Sequence, residues 1–328
     1  MPIKQPISFL NCTFKKDVLI FNFYFDIVVI FNCVFESKCY FDSSVFNKFA
    51  NFGETTFNYV SFEGSKFNDD VSFYGATFQQ PPNFSQVRFK GSLNAVNTEM
   101  LFQEQDLKNT IKKAKEKYDT ESNVDKSLIY FINDFRDSFR NLKNALIKDN
   151  NLLDASNFHK YELYSKEIEL DSKKTKTLKD KVEKWQLWFY RNLCDHHTDL
   201  LLNLKWLIIA IGLFTSLYFV SRLIQDISIL ESLNPFGICF SIACAFIALI
   251  LYWFGHIERL DFFASLNAVI TLWIICYKPQ LIFGIANLLG NIKYNGFENF
   301  LITIYTIVIG LIIFSLQKTA RKNSIVPN

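Results

Sequence analysis

The fold is decided by residues 40–78, which read YFDSSVFNKFANFGETTFNYVSFEGSKFNDDVSFYGATF. Phenylalanine recurs through this stretch and just beyond it at a spacing of five or six residues. The series consists of Phe41, Phe46, Phe52, Phe57, Phe62, Phe67, Phe73, Phe78, Phe84 and Phe89. Helices repeat about every 3.6 residues and strands every two, so neither has this period. A fixed recurrence of this length indicates a stacked repeat architecture.

A second column of residues lies two positions before the phenylalanines. It holds small or β-branched side chains: Ser44, Ala50, Thr55, Val60, Ser65, Val71, Ala76 and Val87. Each unit therefore offers one small and one large inward side chain, with polar residues between them. We predict that four units close one square coil of about 20–22 residues, and that the coils stack at about 4.8 Å. Residues 9–89 would form about four coils, each burying the face of the next.

The motifs YFDSSVF, ANFGETTF, VSFEGSKF and VSFYGATF resemble the pentapeptide-repeat family in its phenylalanine-centred form. This resemblance implies a right-handed, four-sided β-helix, that is, a β-solenoid. It is strongest between Cys33 and Phe89. All the phenylalanines of the series are expected to pack inside the coil.

The two ends of the repeat are less regular in sequence. Phe9, Phe14, Phe25 and either Ile30 or Phe31 can be placed in register with the later phenylalanines. However, FNFYFDIVVIF at 21–31 contains many large side chains, which predicts a distorted first coil. PP at 81–82 replaces a small inward residue and predicts a loosened last coil.

The rest of the chain is predicted to be helical and to end in a membrane domain. The predicted divisions are a β-solenoid at 1–93, a helical connector at 94–203, a transmembrane domain at 204–318 and a cytoplasmic tail at 319–328. Four apolar runs approach the ~20 residues that cross a bilayer. They lie at 204–222, 235–254, 260–277 and 299–317. Residues 279–290 are either a re-entrant segment or part of a span.

The connector has three helical patterns. Apolar residues from Leu128 to Leu146 recur at steps of three and four, which predicts an amphipathic helix. A second helix at about 153–170 would pack against it as a hairpin. A third begins near Thr177 and carries the seam Leu178, Val182, Trp185 and Phe189, with an aromatic belt that also includes Trp188 and Tyr190. Residues 99–124 are helix or loop.

Residues 139–167 resemble the helical segment that follows the repeats in a membrane-bound subset of the pentapeptide-repeat family. The matching positions are Arg140, Leu142, Lys143, Ala155, Phe158 and Glu162. Arg140 or Lys143 is expected to pair with Glu162 across the hairpin. A solvated ionic rim is favoured over a partner-binding surface.

The charge distribution argues against a nucleic-acid partner. Residues 1–93 hold 8 basic and 8 acidic side chains, residues 94–203 hold 19 of each, and residues 204–328 hold 8 and 5. A protein that binds nucleic acid needs a basic surface, and one that imitates DNA needs an acidic one. We therefore expect neither role.

Few residues suggest chemistry. His159 and Glu162 are one helical turn apart, and Cys194, Asp195, His196 and His197 are consecutive. Zinc sites usually draw four ligands from spaced pairs, so a polar turn is favoured over a metal site at 194–197, and chance spacing is favoured at 159–162. Asp69 and Asp70 are expected to be solvated. No catalytic, cofactor-binding or metal-binding residue is predicted, and the protein is expected not to be an enzyme.

The flanking charges predict a membrane orientation. Lys and Arg precede the first run and follow the last, which places both termini in the cytoplasm. Arg222 would then face outside. The seven cysteines form no CxxC pair and MPIKQPISFLNCTF has no apolar signal region, so we expect a reducing compartment and the inner membrane of a bacterium.

Two functions follow as hypotheses. The first is a non-enzymatic scaffold anchored in membrane lipid, whose cytosolic coil binds a protein partner or a second copy of the chain. The second is a channel or transporter regulated by that coil. Charges within the predicted spans are nearly absent, and the polar candidates there are Asn267, Gln280 and Asn287. Intramembrane ionisable groups usually mark a transport path, so the first hypothesis is favoured.

Overall fold

The computed structural model describes residues 2–3, 5–121, 125–225, 227, 235–277 and 294–321. It divides into two compact units, residues 1–190 and residues 191–321. The predicted segment 279–290, with Gln280 and Asn287, lies outside the described residues.

The first unit begins with a coil of short parallel strands. Those described are β1 (Pro2–Ile3), β2 (Ile7–Leu10), β3 (Thr13–Phe14), β4 (Val18–Leu19), β5 (Tyr24–Phe25), β6 (Val28–Phe31), β7 (Val34–Tyr40), β8 (Val45–Phe46), β9 (Ala50–Asn51), β10 (Thr56–Ser61), β11 (Lys66–Phe67), β12 (Val71–Ser72), β13 (Thr77–Phe78), β14 (Arg88–Phe89), β15 (Leu93–Asn94) and β16 (Glu99–Met100). Each pairs with strands of neighbouring turns, so these residues form a β-solenoid of about four turns.

The strand register fixes the length of each turn. Tyr24 pairs with Val45, which is 21 residues later, and Lys66 pairs with Arg88, which is 22 residues later. β7 and β10 each cover two walls of the coil, because their register shifts between Phe57 and Tyr59. Four walls therefore share each turn, as predicted.

The rings stack in columns along the coil. Phe25, Phe46, Phe67 and Phe89 form one column, with centroids 4.6–5.3 Å apart. Phe14, Phe35, Phe57 and Phe78 form a second, and Phe41, Phe62 and Phe84 a third. Phe52 and Phe73 belong to a fourth, and Phe52 meets Phe62 edge to face at 5.2 Å. The predicted inward packing is confirmed.

Two corners of each turn need a left-handed backbone. Asn32, Gly64 and Gly75 have φ of 50–65°, and equivalent corners elsewhere carry Asn, Ser, Glu or Gln. Each such residue follows its inward residue by two positions. Glycine and asparagine adopt this conformation most readily, so the corners select them.

The ends of the coil differ in part from the sequence prediction. Residues 21–31 pair in regular register with the next turn, and Ile30 rather than Phe31 is the buried residue. Phe21 and Tyr24 point outward, whereas Phe23 packs against the core beside Phe25, and the pairing stays regular. Next to Pro82, the fourth wall keeps only an isolated bridge between Ser61 and Asn83, which agrees with a loosened last coil. The coil also runs to Met100, beyond the predicted boundary at 93.

Helices follow the coil at nearly the predicted places. They are α1 (Glu104–Glu121), α2 (Leu128–Lys148), α3 (Leu152–Ser172) and α4 (Leu178–Cys194). Residues 104–121 are helix rather than loop. Phe135, Phe139 and Leu142 of α2 and Phe158 of α3 join the same buried core as the rings of the coil.

Side chains of α2 pair with the backbone of the last coil. Ser138 Oγ accepts a hydrogen bond from the Phe84 amide at 2.6 Å and donates to the Pro82 carbonyl at 3.1 Å. Asp149 Oδ2 accepts from the Leu93 amide at 2.7 Å. Without these bonds, the unpaired backbone groups at the edge of the coil could pair with strands of other chains. α2 is therefore the cap that a solenoid end requires.

The second unit holds the apolar helices. They are α5 (Leu200–Gln225), α6 (Pro235–Trp253), α7 (Arg259–Tyr277) and α8 (Gly296–Ala320), which match the four predicted runs. Of these, α5 and α8 are long and apolar enough to cross a membrane, and Gly237–Trp253 is a shorter apolar helix.

The cap can be tested with Ser138→Ala. This change leaves the buried Phe84 amide and Pro82 carbonyl without their partner and should cost about 1–3 kcal/mol. Hydrogen exchange at Phe84 should accelerate accordingly. Ser165→Ala is the matched control, because Ser165 is buried but, within the described part of the chain, its hydroxyl bonds only to Tyr161 of its own helix. Equal exchange at Phe84 in the two variants would contradict the cap.

Candidate functional site

The coil has an exposed apolar surface on its fourth wall. We define the aromatic patch as Leu19, Phe21, Tyr40 and Tyr59. Leu19 is 59% exposed and Phe21 46% exposed. The Tyr40 ring lies 6.0 Å from that of Phe21 and 5.8 Å from that of Tyr59. Leu19 and Phe21 occupy exposed outward positions, so the core does not need them, whereas Tyr40 and Tyr59 are half-buried.

Acidic side chains lie along the same wall. Asp42 Oδ1 accepts hydrogen bonds from the Ser61 hydroxyl at 2.5 Å and the Glu63 amide at 2.9 Å. Glu63 Oε2 accepts from Asn83 at 3.1 Å. Burial, followed by the charge of Glu63, raises the pKa of Asp134 on α2 to about 6. The patch is thus bordered by Asp42 and Glu63, whose carboxylates are fixed by hydrogen bonds.

The predicted ion pair across the α2–α3 hairpin is present. Arg140 Nε lies 3.0 Å from Glu162 Oε1, and Lys143 Nζ lies 2.7 Å from Oε2. His159 Nδ1 lies 3.4 Å from the same carboxylate. Two cations already occupy Glu162, which disfavours a metal ion there. Among the described residues, no three metal-ligating side chains come together.

The matching apolar positions of this segment are core residues. Leu142, Ala155 and Phe158 are buried in the common core of the first unit. Elsewhere on the coil, Asp69 and Asp70 are exposed, as predicted, and Asp70 accepts the Ser92 amide.

Residues 194–197 lie at a polar turn, as predicted, and Cys194, His196 and His197 are buried there. Cys194 is 0% and His197 8% exposed. The Cys194 thiol lies 3.4 Å from His197 Nδ1, and Ser315 of α8 donates to the thiol at 3.1 Å. Asn203 of α5 donates to Ser315 at 3.0 Å. The apolar helices fold over the turn and leave its polar groups to satisfy one another.

The backbone of this turn is strained. Asp195, His196 and His197 have φ of 48°, 55° and 69°, a conformation that costs non-glycine residues of order 1–3 kcal/mol each. The hydrogen bonds to Ser315 fix the turn against α8. The cluster therefore joins the end of α4 to α5 and α8 within the second unit.

A buried ion pair lies between α5 and α8. Glu298 is 0% exposed, and its Oε1 lies 2.9 Å from Arg222 Nε. Gln225 donates to the same oxygen at 3.1 Å, and Glu298 also closes a capping box with Asn295. Arg222, which the predicted orientation places on the outer side of the membrane, therefore has a carboxylate partner. Glu298 lies one residue before the predicted span, so no sequence pattern links it with Arg222.

Asn267 of α7 also faces a neighbouring helix. It is 6% exposed, and a Cβ atom on Gly212 of α5 would clash with its side chain. Its amide nitrogen donates to the Phe263 carbonyl at 2.8 Å. Asn267 therefore helps α5 and α7 pack closely.

Glu162→Gln tests the hairpin ion cluster through its pH dependence. Burial alone would raise the pKa of Glu162, but hydrogen bonds from His159, Lys143 and Arg140 outweigh it and lower the pKa from 4.5 to about 2. The stabilisation by Glu162 is therefore complete above pH 4.5 and is lost as the pH falls towards 2. The variant should lose about 2 kcal/mol at pH 7, after solvent screening.

Urea unfolding followed by circular dichroism at pH 7 and at pH 2 measures this difference. Glu36→Gln is the control, because Glu36 is exposed and makes no ion pair in the described residues. A loss that is the same at both pH values would contradict the role of the charge.

Comparison with known protein families supports the assignment of the coil. Residues 30–77 and 62–101 match the family described as pentapeptide repeats (9 copies). No curated protein and no solved structure matches the chain. The resemblance seen in the phenylalanine motifs is confirmed over this segment. Residues 30–101 are therefore a pentapeptide-repeat domain that precedes the helical part of the chain.

Proposed function

We propose that the protein is a non-enzymatic, membrane-anchored interaction protein whose coil binds a protein partner through the aromatic patch. The observation that carries this proposal is the exposure of Leu19 and Phe21 beside Tyr40 on a rigid wall. Aromatic side chains often dominate the binding energy of protein interfaces. Because the stacked phenylalanine rings hold the coil rigid, these side chains lose little conformational entropy when a partner binds.

The border of the patch sets the chemistry of the partner. Asp42 and Glu63 are already oriented by hydrogen bonds to Ser61 and Asn83. The partner should offer an apolar pocket flanked by Lys or Arg, because complementary charge speeds encounter and fixes orientation. A second copy of the chain is the competing partner.

The membrane anchor is supported by α5 and α8. In the most apolar 18-residue stretch of each helix, only 28% of α5 and 22% of α8 is buried, which is low for core helices of a soluble protein. With α6 and α7 they would make four crossings. The basic residues before α5 and after α8 favour cytoplasmic termini, and we place the protein in the inner membrane of a bacterium.

Crosslinking mass spectrometry in native membranes tests the proposal. Leu19→Ser combined with Phe21→Ser should reduce the recovery of the partner roughly tenfold or more. The control combines Tyr24→Ser with Val34→Ser, which removes exposed side chains from other walls. Equal recovery from the two double variants, or crosslinks to no protein at all, would contradict the proposal.

A channel or transporter regulated by the coil is the second candidate. It is favoured by the buried pair Arg222–Glu298, since ionisable groups inside apolar bundles often lie on ion pathways. The capping role of Glu298 offers a purely structural explanation of the same pair.

Ion flux into reconstituted liposomes separates these explanations. Transport predicts flux that Glu298→Gln abolishes and that Glu258→Gln leaves unchanged, because Glu258 is exposed. Absence of flux from the unaltered protein would count against this candidate.

A further inference from the structure

Helix α4 leaves its apolar seam uncovered. Leu178 is 81% exposed, Val182 64% and Trp185 61%. Phe189 extends the seam and stacks on Trp185 with centroids 5.6 Å apart. The buried residues of this helix are Leu193 and Cys194, at its C-terminal end. An exposed row of large apolar side chains such as this one indicates a surface that binds a protein or a membrane.

Basic residues flank the seam on both sides. A helix turns by about 100° per residue, so Lys179 lies about 100° to one side of Leu178 and Lys181 about 60° to the other. Both lysines are exposed. Their apolar stems can follow the seam while the ammonium groups reach outward.

The charges around α4 are not balanced by the chain itself. Residues 171–191 contain seven basic and three acidic side chains. Two of the three acidic side chains already form ion pairs: Asp180 with Lys173 at 2.8 Å, and Asp171 with Lys184. Lys174, Lys179 and Lys181 have no ion pair within the described residues. The surface around the seam therefore favours an anionic ligand.

We propose that α4 lies in the membrane interface, with its seam among the acyl chains and Lys179 and Lys181 on anionic phospholipid headgroups. This inference rests on the membrane anchoring proposed above. An amphipathic helix with aromatic residues on its apolar face and lysines at its borders is suited to this position. It ends six residues before Leu200, the first residue of α5, which keeps it near the membrane. A protein partner would explain the seam but not the unpaired lysines on both of its sides.

The test uses the full chain in vesicles of phosphatidylcholine, alone or mixed with phosphatidylglycerol. A photocrosslinking residue, p-benzoylphenylalanine, replaces Val182 in the seam or, as control, Glu183 on the polar side. We expect phospholipid adducts at position 182 and few at 183. Adducts of position 182 with a second copy of the chain, or none with lipid, would overturn the inference.

The charge component has its own variant. Lys179→Gln with Lys181→Gln should reduce phosphatidylglycerol adducts at position 182 by about fivefold per lysine, from ~1 kcal/mol for each. Lys112→Gln with Lys113→Gln is the control, because these exposed lysines lie on α1. Unchanged adduct yields in the first variant would overturn the preference for anionic lipid.

Alkaline carbonate extraction of the same vesicles separates the two proposals. If the protein is extracted, the membrane anchor itself fails. If the protein stays in the membrane and position 182 does not react with lipid, only the position of α4 is wrong.

Discussion

Stacking of phenylalanine rings between successive turns is the contact on which the coil depends. Centroids at 4.6–5.6 Å match the spacing of paired strands, so every turn must hold 21 or 22 residues to place one ring on the next. The same constraint requires small residues in the second inward column and a left-handed backbone at two corners, where Asn and Gly occur most often. Ring stacking does not constrain the side chains at the outward positions, and the aromatic patch lies at such positions.

A stack of this kind has an end that must be closed. Ser138 and Asn141 of α2, together with Asp149 directly after it, form hydrogen bonds to backbone groups of the last turn, and Phe139 and Leu142 continue its core. The helical hairpin is thus part of the solenoid's own core. Glu162 fixes α3 to α2 through Arg140 and Lys143, which stabilises the cap.

Periodic features could be predicted from the sequence, and features made by contacts distant along the chain could not. The phenylalanine spacing, the seam from Leu128 to Leu146 and the apolar runs each repeat within a short stretch of sequence. The coil as far as Phe89, the helical hairpin and the apolar helices could therefore be predicted, whereas the last strands of the coil, up to Met100, could not. The pairs Ser138–Phe84, Arg222–Glu298 and Cys194–Ser315 join residues 54, 76 and 121 positions apart, with no local pattern. The aromatic patch carries a weak signal, namely large apolar residues at outward positions such as Leu19 and Phe21.

The coil and α1–α3 share one buried core and should therefore open together. Native-state hydrogen exchange of the intact protein in detergent measures this directly, through the opening free energies of amides at Phe41, Phe62 and along α2. The shared core predicts one common opening free energy for these amides. If the coil amides exchange through an opening that leaves α2 and α3 protected, the coil and its cap are separate units and the account is contradicted.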